Sequence, residues 1–218
     1  MIKGLIFDLD GVIVDTAHYH FLSWKKISND LNIKFNKQDN EKLKGLNRND
    51  SLQHILKLAN RSLKKHEIHE ILQEKNNIFL SSIESLSKKD ILSGVQKIFT
   101  DAKKSKILLA IGSSSRNAKF VIEKLKLTKM FCTIVDATMV IKTKPDPEIF
   151  LKAANKMKLR PYECIVFEDG ESGVIAAKRG GFNSVAVGNK DIKKYADFFV
   201  NNLKDFNLQD YLNFFRKN

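Results

Sequence analysis

Residues 3–11 read KGLIFDLDG, an apolar run that ends in two acidic residues and a glycine. Such a run is typical of a buried parallel strand whose carboxyl end carries a site. Similar apolar runs follow at residues 107–111, 133–136, 164–168 and 184–187. Helical periodicity separates these runs, as at residues 118–125 and 147–157. The alternation predicts an α/β fold with a parallel, Rossmann-like core sheet flanked by helices.

The chain changes character between residues 16 and 90, where no strand-like run occurs. Apolar residues recur there at helical spacing, as in Phe21, Trp24, Ile27 and Leu31. We therefore expect an inserted helical domain over residues 16–90 and an α/β core domain formed by residues 1–15 and 91–218. An insertion directly after the first strand stands over the carboxyl ends of the strands, where such folds bind ligands.

The composition is basic, with 38 Lys and Arg against 25 Asp and Glu and a net charge of +13. Basic domains attract phosphate backbones, so a nucleic-acid-binding protein is a remote alternative. The lysines are spread from Lys3 to Lys217, and no zinc finger, RNP-type strand or basic zipper occurs. We therefore expect no nucleic-acid partner.

Two further features bear on the location of the protein. No apolar run approaches the roughly 20 residues that a membrane span requires, so no membrane association is expected. The two cysteines, Cys132 and Cys164, lie in or beside apolar runs, which favours buried, reduced thiols and a cytoplasmic location.

Acidic pairs follow two of the predicted strands. Asp8 and Asp10 end the first strand, and Glu168 and Asp169 end the strand that begins at Cys164. Because parallel strands end at the same edge of a sheet, both pairs are expected to meet there. Carboxylates held together favour a hard divalent cation such as Mg²⁺. Acids that cap turns or helices are the alternative interpretation.

Two elements typical of phosphate binding lie between the acidic pairs. Residues 112–117 read GSSSRN and place hydroxyl groups between a strand and a helix start. Residues 144–147 read KPDP and hold Lys144 in a proline-stiffened loop before a helix. Either element alone is weak evidence, since serine is a common helix cap and lysine a common surface residue.

The order of the four elements resembles the haloacid dehalogenase-like phosphotransferase superfamily over nearly the whole chain. Within it, the β-phosphoglucomutase family is the most similar group, through residues 7–13, 15–20 with Trp24, 43–48, 50–53 and 144–150. The resemblance implies a helical cap of the C1 type. It also implies an Mg²⁺-dependent enzyme that forms a covalent phosphoryl intermediate.

The resemblance assigns roles to individual residues. Asp8 would be the nucleophile and Asp10 the general acid and base. The implied catalytic set is completed by Ser113, Lys144, His20 and Thr16. Mg²⁺ would be held by Asp8, the backbone carbonyl of Asp10, Glu168 and Asp169. The substrate-binding residues would be Trp24, Gly45, Leu46, Asn47, Arg48, Ser51, Lys75, Ser114, Ser115, Arg116 and Asn117.

The implied reaction converts β-D-glucose 1-phosphate to glucose 6-phosphate through a glucose 1,6-bisphosphate intermediate, which also serves as the activating phosphoryl donor. A sugar-phosphate phosphatase that uses the same aspartate is the alternative. Two residues depart from the pattern of the family. Arg116 replaces a lysine, and Gly170 replaces a serine beside the metal site. We expect a phosphosugar as the partner and, in the absence of exposed heptads, a monomer.

Overall fold

A computed structural model describes residues 1–43 and 46–217, with the side chains of the last three of these residues left aside. Its centre is a six-stranded parallel sheet with the strand order β3-β2-β1-β4-β5-β6. The strands are β1 (Gly4–Phe7), β2 (Leu108–Gly112), β3 (Thr133–Val135), β4 (Cys164–Glu168), β5 (Asn183–Val187) and β6 (Phe198–Val200). The predicted α/β fold is confirmed, and β6 is an addition to the five strands expected from the sequence.

Helices cover both faces of this sheet. In the described residues they are α1 (Ala17–Asp30), α2 (Lys37–Glu41), α3 (Arg48–Leu58), α4 (Lys65–Ser82), α5 (Val95–Lys104), α6 (Ala118–Lys124), α7 (Glu148–Lys156), α8 (Glu171–Arg179) and α9 (Leu208–Lys217). Leu5 and Phe7 of β1 pack towards α5, α6 and α9, whereas Ile6 packs towards α7 and α8. This alternation follows from the two-residue period of a strand. Burial on both faces explains the continuous apolar runs of the sequence.

Helices α1, α3 and α4 share an apolar cluster of their own, which includes Trp24, Ile27, Leu52 and Ile55, and residues on either side of α2 join it. Polar caps fix the starts of two of these helices. The Asn36 side chain accepts the Asp39 N–H at the start of α2, and Asn47 accepts the Asp50 N–H at the start of α3. The helices therefore form a unit that stands beside the sheet.

The helical segment leaves and rejoins the sheet at neighbouring points. Val14 forms a bridge with Ile91, and the Leu92 N–H donates to the Ile13 carbonyl at 2.8 Å. The two connections therefore run side by side.

The two cysteines differ in their exposure to solvent. Cys164 is buried, but Cys132 is exposed, so the prediction that both cysteines are buried is wrong for Cys132. Cys132 lies next to β3, which is an edge strand and is covered on fewer sides. Among the residues described, no helix combines the length and the apolar character needed to cross a bilayer.

Candidate active site

The carboxyl ends of three neighbouring strands bring the predicted acidic and phosphate-binding residues together. Asp8 follows β1, Ser113 follows β2, and Glu168 ends β4. The turn after Asp8 depends on Gly11, which has a φ of +85° and lies so close to Asp169 that a side chain would collide with the carboxylate. Glycine is therefore required where the chain bends away from the sheet.

Lys144 lies behind the ends of these strands and is 2% exposed. Its Nζ is 2.7 Å from Oδ1 of Asp8 and 2.6 Å from Oε1 of Glu168. Burial lowers the pKa of Lys144, but the two carboxylates outweigh it and hold this pKa above its ordinary value. Lys144 is therefore a fixed cation that neutralises the two acids.

Three acidic side chains are placed to bind a cation. Ligand atoms of Asp8, Glu168 and Asp169 lie within 4.8 Å of one another. An all-oxygen donor set of this kind fits a hard ion such as Mg²⁺. The Asp10 carboxylate is not part of this group, and its backbone carbonyl stays a predicted ligand. The Gly170 N–H donates to Oε2 of Glu168 at 2.7 Å, so a backbone group orients this acid.

The Asp10 carboxyl group lies at the mouth of the pocket described below and is about a quarter exposed. The Thr16 hydroxyl donates to its Oδ1, and the Asp10 N–H donates to Oδ2 of Asp8 at 3.2 Å. Burial, followed by the charge of Asp8, raises the pKa of Asp10 to about 7. A carboxyl group with this pKa suits both acid and base roles near neutral pH.

His20 and Lys75 form a second polar group on the helical side. Nζ of Lys75 lies 2.8 Å from Nδ1 of His20, and Nε2 of His20 lies 4.0 Å from Oδ1 of Asp10. Burial, then the charges of Lys75 and Arg48, holds the pKa of His20 well below its usual range. Burial and Arg48 lower the pKa of Lys75 to about 7. A neutral His20 that accepts from Lys75 at Nδ1 presents its Nε2–H towards Asp10.

A pocket between the sheet and the helices contains about 790 Å³ outside protein atoms, part of it open to solvent. Its lining combines residues of both parts: Asp8, Asp10, Gly11, Ala17, His20, Trp24, Asn40, Leu43, Leu46, Arg48, Ser51, Lys75, Ser114, Ser115, Arg116 and Asp169. Acidic and basic side chains therefore line the same pocket, the acids being Asp8, Asp10 and Asp169 and the guanidinium groups those of Arg48 and Arg116.

Arg48 begins α3 and is held by the neighbouring helix α4. Its Nη2 donates to Oδ1 of Asn76 at 2.6 Å, and Nδ2 of Asn117 donates to the same oxygen at 2.9 Å. Asn76 thus joins the helical segment to the loop after β2. Burial, together with the charge of Arg116, lowers the pKa of Arg48 to about 10. Two guanidinium groups near each other are suited to bind an anion bidentately.

The other predicted site residues occupy varied positions. Ser113 is buried and its Oγ accepts the Ser115 N–H at 3.1 Å, so it lies beneath the pocket lining. Ser51 donates its hydroxyl to the Asn47 carbonyl at 2.9 Å. Asn47 caps α3 and lines a second cleft outside the pocket. Gly45, a predicted substrate-binding residue, lies outside the described residues.

Sequence reasoning missed three polar residues of this region. Asn40 lines the pocket and is 8% exposed, Asn76 bridges Arg48 and Asn117, and Thr143 contacts Asp50. Asn76 lies within α4, and its contacts with Arg48 and Asn117 form only when this helix packs beside α3 and the loop after β2. The contacts of Asn40 and Thr143 depend on the docking of the helices and carry no local signal.

Comparisons with known proteins agree with this geometry. The family model of haloacid dehalogenase-like hydrolases matches residues 5–187. The β-phosphoglucomutase of Bacillus subtilis is 39% identical over 209 residues, which cover 95% of this chain and 92% of that protein. A crystal structure of β-phosphoglucomutase from Clostridium difficile superposes with a TM-score of 0.96 at 35% identity, covering 100% of this chain and 98% of the other.

Phosphatases are also among the similar proteins. The fructose-1-phosphate phosphatase of Escherichia coli is 30% identical over 185 residues, which cover 84% of this chain and 95% of that enzyme. The likeness to both kinds of enzyme therefore covers at least 84% of this chain. The choice between isomerisation and hydrolysis therefore depends on the residues that line the pocket.

Proposed function

Because this chain belongs to the haloacid dehalogenase-like hydrolase family, we propose that it is a phosphosugar mutase that converts β-D-glucose 1-phosphate to glucose 6-phosphate. One observation carries the proposal: the pocket has a nucleophile and a cation at one end, Asp8 with Lys144, and a pair of guanidinium groups, Arg48 and Arg116, in the same cavity. A sugar that bears two phosphates during turnover needs one group of residues to react with the first phosphate and a second group to bind the other.

The nucleophile is Asp8. A carboxylate oxygen of Asp8 attacks the phosphorus of a phosphosugar, the bond between phosphorus and the sugar oxygen breaks, and an aspartyl-phosphate forms. Lys144 is already fixed against Asp8 and balances the negative charge of the transferring group without reorganisation. When bound at Asp8, Glu168 and Asp169, Mg²⁺ would supply Lewis-acid stabilisation of that charge.

Asp10 is the proposed general acid and base. In its protonated form it gives a proton to the leaving sugar oxygen, and in its ionised form it takes the proton of the attacking hydroxyl group. Thr16 fixes the carboxyl group by its hydrogen bond, and the Nε2–H of His20 faces the same oxygen. The pKa of about 7 lets Asp10 serve in both directions of the transfer.

The guanidinium pair is the proposed grip for the phosphate that is not being transferred. The phospho-enzyme gives its phosphoryl group to the sugar, and a bisphosphate forms. The bisphosphate then reorients in the pocket, and its other phosphate is transferred to Asp8. Glucose 1,6-bisphosphate is the proposed activating donor because it phosphorylates Asp8 at the start of the cycle. Trp24, Leu46, Ser51, Lys75 and the loop residues Ser114, Ser115 and Asn117 are proposed to contact the sugar or its phosphate.

The helical segment is proposed to be a cap domain over residues 16–90 that closes on the core domain of residues 1–15 and 91–218. Its two connections run side by side at Val14 and Ile91, as a hinge requires. Closure excludes water and directs the phosphoryl group to the sugar. We further propose that the enzyme acts as a monomer and without a nucleic-acid partner.

The second candidate function is hydrolysis of a sugar phosphate, favoured by the similarity to the phosphatase of Escherichia coli. It uses the same Asp8, Asp10 and Lys144, with water as the acceptor. A monophosphate has less need of a second phosphate grip, so the Arg48 and Arg116 pair favours the mutase.

A ³¹P NMR time course with β-glucose 1-phosphate, Mg²⁺ and a trace of glucose 1,6-bisphosphate tests the proposal. The expected product is glucose 6-phosphate, and Asp8→Asn is expected to abolish its formation. The exposed Asp205→Asn variant, whose carboxylate lies far along the chain from the acidic group, is the control and should match the wild type. Free phosphate as the main product would replace the mutase with a phosphatase.

A further inference from the structure

Thr143 and Asp50 are joined across the boundary between the helical segment and the core. Oγ1 of Thr143 donates to Oδ2 of Asp50 at 3.0 Å, although the residues are 93 positions apart. Thr143 lies in the loop between β3 and α7, and Asp50 lies in the first turn of α3. Neither residue belongs to the set of predicted site residues.

Asp50 is fixed within its own helix. Its Oδ2 also accepts from Nδ2 of Asn47 at 2.7 Å, and its N–H donates to Oδ1 of Asn47 at 2.9 Å. Arg48, the first residue of the same helix, lies two positions before Asp50. A movement of Asp50 therefore moves the start of α3 and the guanidinium group that it carries.

Thr143 is fixed within its own loop. The Glu148 carboxylate accepts the N–H groups of Ile141 and Lys142 at 3.0 and 2.7 Å, and the Thr143 carbonyl accepts the Asp146 N–H at 2.9 Å. Lys144 directly follows Thr143, and its Nζ contacts Asp8 and Glu168. The Thr143 hydroxyl thus extends from the loop that carries the central cation.

We propose that Asp50 and Thr143 are positioning residues that fix the separation between the Arg48 end and the Lys144 end of the pocket and hold the cap closed. The proposal rests on the mutase function. Their hydrogen bond joins two elements that are each held by hydrogen bonds of their own. A displacement of one element therefore displaces the other. The separation of the two ends must suit a sugar with two phosphates, and closure must exclude water during transfer.

The surroundings of the hydrogen bond support a role in excluding water. A second cleft lies outside the pocket and is lined by Thr143, Asn47, Arg48 and Arg116. Arg48 and Arg116 line the pocket as well, so they form the wall between pocket and cleft. Loss of the hydrogen bond is expected to loosen this wall and to let water reach the phospho-enzyme.

Thr143→Val is the central variant because it removes the hydroxyl donor and keeps the branched shape. Thr143→Ser restores the hydroxyl and should rescue. Thr100→Val is the matched control, since the Thr100 hydroxyl donates to the Gln96 carbonyl within α5, away from the pocket. The measured quantities are free phosphate released per glucose 6-phosphate formed and acrylamide quenching of Trp24, the single tryptophan of the chain, which lines the pocket.

We expect Thr143→Val to raise the ratio of free phosphate to glucose 6-phosphate about three- to tenfold, the effect of losing one hydrogen bond of ordinary net strength. Quenching of Trp24 should increase in the same variant. Thr143→Ser and Thr100→Val should both stay within about twofold of the wild type. If Thr143→Val matches Thr100→Val in both measurements, the positioning role is wrong.

A double-mutant cycle with Asp50→Ala distinguishes the effect of the hydrogen bond between Asp50 and Thr143 from other effects of either residue. If the two act through one hydrogen bond, Thr143→Val adds no further change in quenching once Asp50 is replaced. Additive changes would overturn the pairing. A wild type that only releases phosphate would refute the mutase function, whereas Trp24 quenching would still decide whether Asp50 and Thr143 hold the cap closed.

Discussion

Nζ of Lys75 lies 2.8 Å from Nδ1 of His20, and both groups are enclosed by the helical segment. The ammonium group also lies over the rings of Phe79 and Trp24, at 4.7 and 5.2 Å from their centres. The His20 ring stacks on Phe79 with 4.1 Å between the centroids. The amino group of Lys75 is thus held beside a neutral imidazole, near the Asp10 carboxyl group.

Lys75→Met is expected to change the pH dependence of stability. Burial and Arg48 lower the pKa of Lys75 to about 7, so between pH 7 and about 10 the folded state binds fewer protons than the unfolded state. Stability of the wild type therefore gains a contribution as pH rises through that window. Methionine removes this contribution, so the stability of Lys75→Met relative to wild type should fall by about 2–4 kcal/mol from pH 6 to pH 10. Urea denaturation across this range measures it.

The exposed Lys119→Met is the matched control and should show a constant difference from the wild type over the same range. NMR titration of the His20 ring gives a second check. Burial remains after the substitution, but the charge of Lys75 is lost, so the pKa of His20 should move upward. An unchanged His20 titration would show that Lys75 does not act on the imidazole.

Lys144→Met is expected to destabilise the protein strongly. Burial is offset by Asp8 and Glu168, which raise the pKa of Lys144, so its stabilising contribution is fully present below about pH 10 and is lost only as pH rises further. Without the ammonium group two buried carboxylates lose their partner, at a cost of about 3–5 kcal/mol. Denaturant unfolding at pH 7.5 without metal measures this loss.

Added Mg²⁺ should restore part of the stability of Lys144→Met, because a cation at Asp8, Glu168 and Asp169 replaces the missing charge. Activity should stay low, since the fixed donor to the transferring phosphate is absent. Wild-type stability in metal-free Lys144→Met would contradict the ionic account of this cluster.

Substitution of the metal-binding acids should abolish stabilisation by Mg²⁺. Wild type is expected to gain melting temperature with increasing Mg²⁺, since an ion that binds the folded state stabilises it by mass action. Asp169→Asn should lose most of this gain, because it removes one of three carboxylates. Thermal denaturation with and without Mg²⁺ measures it. The exposed Glu123→Gln serves as control, and an Asp169→Asn protein that responds like it would place the ion elsewhere.

Arg48→Ala is expected to weaken the grip on the distal phosphate. The KM for β-glucose 1-phosphate should rise about ten- to a hundredfold, the effect of losing charge-assisted hydrogen bonds. Arg48→Lys keeps the positive charge but loses the planar guanidinium group, so its KM should lie between those of the wild type and Arg48→Ala. Steady-state kinetics under saturating Mg²⁺ measure both.

Phosphorylation of Asp8 by acetyl phosphate, which has no distal phosphate, should proceed in Arg48→Ala at the wild-type rate. Arg160→Ala, which removes a surface guanidinium that contacts Tyr162, provides the control for kinetics. An Arg48→Ala enzyme with an unchanged KM would remove the main reason for preferring a mutase over a phosphatase.

The meeting of Asp8 and Glu168 could be predicted from sequence because it follows from local rules. Each acid ends an apolar run, and neighbouring parallel strands end at the same edge of the sheet. The resemblance to the haloacid dehalogenase-like superfamily is confirmed by the family match over residues 5–187. Strongly apolar strands, and the residues at their carboxyl ends, can therefore be predicted from the sequence.

Contacts across the pocket could not be predicted in this way. Asn76 meets Asn117 across 41 positions and Asp50 meets Thr143 across 93, and both depend on how the helices dock on the sheet. Strand β6, Phe198–Val200, was missed because a 3-10 turn at Lys190–Tyr195, and not an α-helix with clear periodicity, separates it from β5. The exposure of Cys132 depends on its place beside an edge strand, which only the strand order establishes.

The central claim is that the phosphoryl group of Asp8 passes to a sugar and not to water. A single-turnover experiment tests it, with ³²P-labelled glucose 1,6-bisphosphate as donor, Mg²⁺ and an excess of unlabelled β-glucose 1-phosphate, on wild type and Asp8→Asn. The account predicts that wild type transfers label to the unlabelled sugar phosphate, with little inorganic phosphate, through an acid-stable aspartyl-phosphate that Asp8→Asn lacks. Label that appears mainly as inorganic phosphate, or that binds covalently to Asp8→Asn, would contradict it.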